Sequence, residues 1–124
     1  MIYVISDLHG YPFDKFLGLL KKAGFADDDT LYILGDVIDR GADGIKYLQW
    51  SLNQPNVTLL LGNHEKMMRE CDFLFDKNVS GSLKDLNGLQ RINLTIWMAN
   101  GAEPTVEGLF ALSDEERTEI GLYL

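Results

Sequence analysis

Three short runs of consecutive apolar residues, each closed by a polar cluster, set the pattern of the first half of the chain. Ile2-Tyr3-Val4-Ile5, Leu31-Tyr32-Ile33-Leu34 and Val57-Thr58-Leu59-Leu60-Leu61 are rich in β-branched and aromatic residues. Bounded by turn residues, they predict buried strands. Phe13, Phe16, Leu17 and Leu20 recur at helical spacing after Gly10 and Pro12, and Gly24 marks the end of that helix. Ile45, Leu48 and Leu52 predict a second helix between the Gly41–Gly44 turn and the break at Pro55-Asn56. A third is expected over Glu65–Phe75. Strands apolar on both faces and separated by helices predict an α/β fold with a parallel sheet built from βαβ units.

The remainder reads differently. The polar stretch Asp76–Asp85 predicts a mobile loop, and Leu83–Ala99 a helix interrupted at Gly88. Asn100-Gly101 marks a turn, and Ser113-Asp114-Glu115-Glu116 is a capping box that opens a last short helix. One domain over residues 1–124 is expected, with a motif-bearing βαβαβ core at 1–68 and a helical and loop segment at 69–124.

Charge narrows the partners. A formal net charge of −8 argues against nucleic acid, whose phosphate backbone needs clustered Lys and Arg. It leaves open small phosphorylated substrates held by a local metal site. The single cysteine, Cys71, permits no intrachain disulfide, so a reducing, cytoplasmic setting is expected. Met1–Ser6 lacks the basic flank of a signal peptide, and no apolar stretch nears the ~20 residues that span a bilayer, so no membrane is expected.

The chemistry sits where the strands end. The clusters are Ser6-Asp7-Leu8-His9-Gly10, Gly35-Asp36-Val37-Ile38-Asp39-Arg40-Gly41 and Gly62-Asn63-His64-Glu65. Ligands of open parallel sheets bind beyond the carboxyl ends of the strands, so the three clusters are expected on one edge. Carboxylate, amide and imidazole donors together suit Mn, Fe or Zn. If Asp7-Leu8-His9 is extended, its alternate side chains point the same way and can share one ion. Asp36 could bridge two ions, one oxygen to each. Two ions about 3.5–4 Å apart clamp a phosphate and generate a hydroxide nucleophile. Gly10, Gly35, Gly41 and Gly62 permit close backbone approach.

The order Asp-x-His-Gly, Gly-Asp-x-x-Asp-Arg-Gly, Gly-Asn-His-Glu resembles the calcineurin-like metallophosphoesterase superfamily, most closely its phosphoprotein (serine/threonine) phosphatase branch in a bacterial form. The resemblance is dense over Met1–Met68. A weaker likeness runs from Trp97 to Thr105, with Ala102 where a second glycine is usual. The resemblance implies that Asp7, His9 and Asp36 hold a first metal, and that Asp36 and Asn63 begin a second site, with Mn2+ favoured. It further implies that Arg40 grips the phosphate, His64 protonates the leaving oxygen and Asp39 orients His64. The family draws two further histidines and an arginine from later segments. Here His9 and His64 are the only histidines, so the chain is expected to be the N-terminal part of a longer domain: the first half of a sandwich of two mixed sheets, its second metal site incomplete.

The implied function is metal-dependent hydrolysis of a phosphomonoester, with protein phosphoserine or phosphothreonine favoured over a small phosphoester. The rival substrate is a dinucleoside polyphosphate, taken by a sister group that often lacks the aspartate found here as Asp39 and carries Asp in place of Glu65. A second rival is a fragment that binds metal or phosphate without turnover. An uncovered sheet face is expected to promote homo-oligomers. Outside the motifs, ordinary structural roles are expected: Cys71 as a small apolar residue, Trp50, Trp97, Met67 and Met68 in packing, and Asp14, Asp43 and Asp114 at helix starts. Glu65 reads equally as a helix N-terminal charge or as support for the metal ligands.

Overall fold

The structure is a computed structural model that describes residues 1–76 and 83–124. Strands β1 (Ile2–Ile5), β2 (Thr30–Ile33) and β3 (Val57–Leu59) form one parallel sheet in the order β1-β2-β3. Ile2 pairs with Thr30 and Val4 with Tyr32, while Leu31 pairs with Val57 and Tyr32 with Thr58. Helices α1 (Phe13–Ala23) and α2 (Gly44–Asn53) make the two crossovers, and α3 (Asn63–Arg69) follows β3 directly. The fold class is α/β, as the strand-and-helix alternation predicts.

Capping residues explain most helix ends. Gly24 closes α1 at φ 84°, where its backbone N–H reaches the carbonyls of Leu20 and Lys21. Pro12 cannot cap α1 with a side chain, so Asp43 does it from outside, accepting the Phe13 N–H at 2.9 Å. Asp43 does stand at the start of α2, as expected, but its side chain caps α1 instead of its own helix. The third helix stops at Arg69, and a separate 3₁₀ turn covers Asp72–Phe75. Gly88 does not interrupt a long helix either. A 3₁₀ turn at Leu83–Asp85 ends first, and Gly88 begins α4 (Gly88–Ala99) under an Asn87–Gln90 capping box. Of the mobile loop expected over Asp76–Asp85, residues 77–82 lie outside the described residues. Helix α5 (Glu103–Phe110) has no counterpart in the periodicity; Pro104 near its start and Gly108 within it obscure the pattern. Helix α6 (Asp114–Tyr123) carries the expected capping box between Ser113 and Glu116.

The core lies on one side of the sheet. Tyr3, Ile5, Leu31, Ile33, Val57 and Leu59 face Phe16, Tyr47 and Leu48 of the crossover helices. Phe13 and Phe16 pack edge-on against Tyr47 and Trp50. Successive right-handed crossovers in one direction put both helices on the same face. The opposite face is open, so the expectation of strands buried on both faces needs correction. Ile2 is 68% and Val4 59% exposed, and Tyr32, Leu34 and Leu60 continue that surface. None of the described helices is long and apolar enough to cross a membrane.

Candidate metal and phosphate site

The three polar clusters meet at the carboxyl ends of β1, β2 and β3. Two close glycine crossings lock them together. A Cβ on Gly10 would stand 2.3 Å from the Gly41 carbonyl carbon, and one on Gly35 would stand 2.4 Å from the Gly62 nitrogen. No side chain fits at either crossing. Backbone hydrogen bonds run beside them, from His9 N–H to Asp36 O at 2.9 Å and from Gly10 N–H to Val37 O at 2.7 Å.

Five non-glycine residues occupy left-handed backbone: Asp7 (φ 57°), His9 (43°), Asp36 (56°), Asp39 (74°) and Arg40 (70°). These are all the non-glycine residues of positive φ among those described, and every one belongs to a motif. The conformation costs on the order of 1–2 kcal/mol for an L-residue, less for Asp, so the surrounding contacts must hold it. This overturns the extended reading of Asp7-Leu8-His9. The two side chains converge because the chain curls there, not because alternate residues of a strand share a face.

Donor atoms of Asp7, His9 and Asp36 lie within 4.8 Å of one another. His9 Nδ1 stands 2.9 Å from the Ile38 carbonyl. A carbonyl only accepts, so Nδ1 donates to it, which turns Nε2 towards the carboxylates; in the neutral ring that nitrogen offers a lone pair. That nitrogen is 3.9 Å from Asp7 Oδ1. Asp36 Oδ1 accepts the His64 backbone N–H at 3.0 Å, while its other oxygen has no hydrogen bond among the described residues. Two carboxylates converging beside an imidazole nitrogen repel each other, and a cation between them relieves that repulsion. The donor set therefore fits a divalent ion. Asn63 heads α3 with an exposed side chain, and both of its backbone neighbours, Gly62 and His64, touch the Asp36 carboxylate.

Glu65 braces this loop. It is wholly buried and accepts three backbone N–H groups: Asp36 at 2.5 Å, Gly62 at 2.9 Å and Val37 at 3.0 Å. Its two expected roles turn out to be one. The same carboxylate sits in the first turn of α3 and ties that turn to the Asp36 segment.

A second buried network lies behind it. His64 Nδ1 is 2.6 Å from Asp39 Oδ2, and Asp39 is fully buried. Trp97 Nε1–H donates to the same oxygen at 2.7 Å, and Thr105 Oγ1–H donates to Oδ1 at 2.7 Å. Thr105 Oγ1 in turn accepts the Asp39 N–H at 2.9 Å. With three donors on its two oxygens, Asp39 holds His64 by Nδ1 and leaves Nε2 on the far side of the ring. The rings of His9 and His64 meet edge-on at 4.6 Å. Trp97 packs in the core as expected, yet its N–H also serves the site. Residue-by-residue reading missed that role, and it missed Thr105; the local likeness over Trp97–Thr105 is the only sequence sign of either. Arg40 has an exposed side chain, and its N–H is fixed to Gly101 O at 2.8 Å. Ala102 adopts ordinary helical angles, so a glycine is not needed there.

Comparison with known proteins agrees with this arrangement. Residues 1–119 match the calcineurin-like phosphoesterase family description. The symmetrical bis(5'-nucleosyl)-tetraphosphatase of Buchnera aphidicola subsp. Schizaphis graminum is 41% identical over 66 residues, covering 52% of this chain and 24% of that protein. The Neisseria gonorrhoeae protein of the same description is 40% identical over 65 residues, 51% of this chain and 23% of its own. Serine/threonine-protein phosphatase 7 of Arabidopsis thaliana is 38% identical over 84 residues, 63% of this chain and 20% of its own. The match thus spans about a quarter or less of each of these relatives.

Proposed function

Because the chain belongs to the calcineurin-like phosphoesterases, we propose that its three motifs form the metal- and phosphate-binding half of a phosphoester hydrolase. The observation that carries the proposal is the convergence of Asp7, His9 and Asp36 donor atoms, with His9 oriented by the bond from its Nδ1 to the Ile38 carbonyl. A divalent ion held there supplies charge to bind phosphate and to activate water. Arg40, exposed at the rim, offers a planar fork to phosphate oxygens. His64 delivers a proton from Nε2 to the leaving oxygen, and Asp39 keeps Nδ1 protonated and the ring in place. Asp36 and Asn63 contribute two ligands towards a second ion. One firmly held ion and one loosely held ion are therefore expected.

The substrate reading is a phosphomonoester on protein serine or threonine, favoured by the buried Asp39–His64 pair and by Glu65, both features of the phosphoprotein phosphatase branch. The second reading, a dinucleoside polyphosphate, is favoured by the similarity to the Buchnera and Neisseria tetraphosphatases. A calorimetric Mn2+ titration of the 124-residue chain and of its Asp36→Asn variant tests the site. Unchanged affinity in the variant sinks the proposal. Hydrolysis of a phosphothreonine peptide against diadenosine tetraphosphate, in the presence of Mn2+, separates the two substrates.

A further inference from the structure

Helix α1 breaks two local rules, and both breaches line one groove. Lys15 is the third residue of the helix, where the macrodipole disfavours a cation. Gly18 lies mid-helix, at a cost of about 0.5–1 kcal/mol relative to Ala. A Cβ built on Gly18 meets nothing within 4 Å, so close packing does not require the glycine. Residues that cost a helix stability without helping the fold concentrate at functional positions.

The groove has a volume of about 620 Å³ and is lined by Tyr11, Lys15, Gly18, Leu19, Lys21 and Lys22. That size is in the range of small-ligand sites. All six residues are exposed, and no ion pair engages the three lysines among the described residues. In a chain of net charge −8, an unpaired cluster of three cations with no acidic lining residue is a local reversal of sign. The helix dipole accounts for Lys21 and Lys22 in the last turn, but not for Lys15. From Lys15 to Lys22 the helix rises about 10 Å at 1.5 Å per residue. Tyr11 opens the groove two residues after His9, so the groove starts within about 7.6 Å of backbone from the metal ligands. The Tyr11 carbonyl accepts the Tyr47 hydroxyl at 2.7 Å, which fixes its backbone while the ring stays exposed.

We propose that this groove binds the nucleoside-polyphosphate part of a substrate, its base against Tyr11 and Leu19 and its phosphates along Lys15, Lys21 and Lys22. The exposed Tyr11 ring and Leu19 side chain suit a base, and the three lysine ammonium groups suit phosphates. The inference rests on and deepens the dinucleoside polyphosphate reading, since Tyr11, at one end of the groove, follows the metal-site residue His9 by two positions. It names a place and residues that the reading itself does not supply.

The test is an NMR titration of the 124-residue chain with ATP in EDTA, so that binding does not depend on the metal site. The expected result is amide shifts centred on Tyr11–Lys22, with affinity at least tenfold weaker in Lys15→Gln/Lys22→Gln and in Gly18→Leu. Gly18→Leu fills the groove at a position where the fold has room and leucine is the better helix former. Tyr11→Ala should weaken ATP but leave inorganic triphosphate unchanged. Shifts elsewhere, or ATP affinity unaltered by these substitutions, overturn the proposal. Equal binding of triphosphate and ATP with no effect of Tyr11→Ala overturns its nucleoside part. Mn2+ affinity of Asp36→Asn reports separately on the metal site, so either reading can fail alone.

Discussion

Glu65 carries more of the site's geometry than any metal ligand does. Three backbone N–H groups from two motifs converge on its buried carboxylate. A Gln there must turn its amide NH2 towards at least one of them. Leaving a buried donor unpaired costs roughly 1–3 kcal/mol, more when charge is lost. Glu65→Gln should therefore lower the stability measured by urea unfolding by about 2–3 kcal/mol. It should also weaken Mn2+ binding, because the Asp36 turn loosens. Asp39→Asn should behave differently: it puts an amide NH2 against the Trp97, Thr105 or His64 donors without touching a metal ligand. Turnover in a chain with the complete site should fall by more than Mn2+ affinity does. Equal loss of both would place Asp39 among the metal-supporting groups. Cys71 stands apart from this chemistry. Burial, with Glu70 and Asp72 beside it, pushes its thiol up from 9.0 to about 11. The unfolded chain releases that proton at lower pH than the folded one. Its contribution to stability is thus complete below pH 9 and is lost as pH rises towards 11. Native protein at pH 8 should not react with an aromatic disulfide reagent until denaturant is added.

At the scale of elements, the site is a junction of strand ends braced by a distant helix pair. Helix α4 supplies Trp97 and α5 supplies Thr105, and both aim at Asp39. The turn between them supplies Gly101 O to the Arg40 N–H. The second half of the chain is thus no appendage to the motif-bearing core. Trp97→Phe keeps most of the packing and removes only the indole N–H. It should cost about 1–3 kcal/mol by thermal or urea unfolding, since the buried Asp39 carboxylate then loses one of its three donors. A larger drop, with loss of the His9–His64 ring contact in NMR spectra, would mean that Trp97 packing rather than its hydrogen bond dominates.

Over the whole molecule, one sheet face is covered and the other is bare. Ile2, Val4, Tyr32, Leu34 and Leu60 make an apolar surface of a kind that monomers rarely leave open at large size. Light scattering of the isolated 124-residue chain should show concentration-dependent self-association at neutral pH. Val4→Lys, a change on the exposed side of β1, should reduce it without shifting the melting temperature appreciably. A monodisperse monomer at high concentration would remove the sheet face as a contact surface.

Much was legible in the sequence because it depends on local order. Apolar runs with β-branched residues specify strands, capping residues specify helix ends, and motifs after each strand specify which edge carries the chemistry. Asp7, His9, Asp36, Asn63, Asp39, Arg40 and His64 stand out as candidates from spacing and resemblance alone, and the structure brings Asp7, His9 and Asp36 together and pairs Asp39 with His64. What could not be read depends on contacts across long separations. The left-handed backbone of five motif residues is held by crossings between segments some thirty residues apart, such as Gly10 against Gly41. Two of the three side-chain partners of Asp39 lie 58 and 66 residues away. Which sheet face is covered follows from the common hand of the two crossovers, not from any strand's own residues. Local sequence determined the elements and the donors; only tertiary packing decided how each donor is turned, protonated and held.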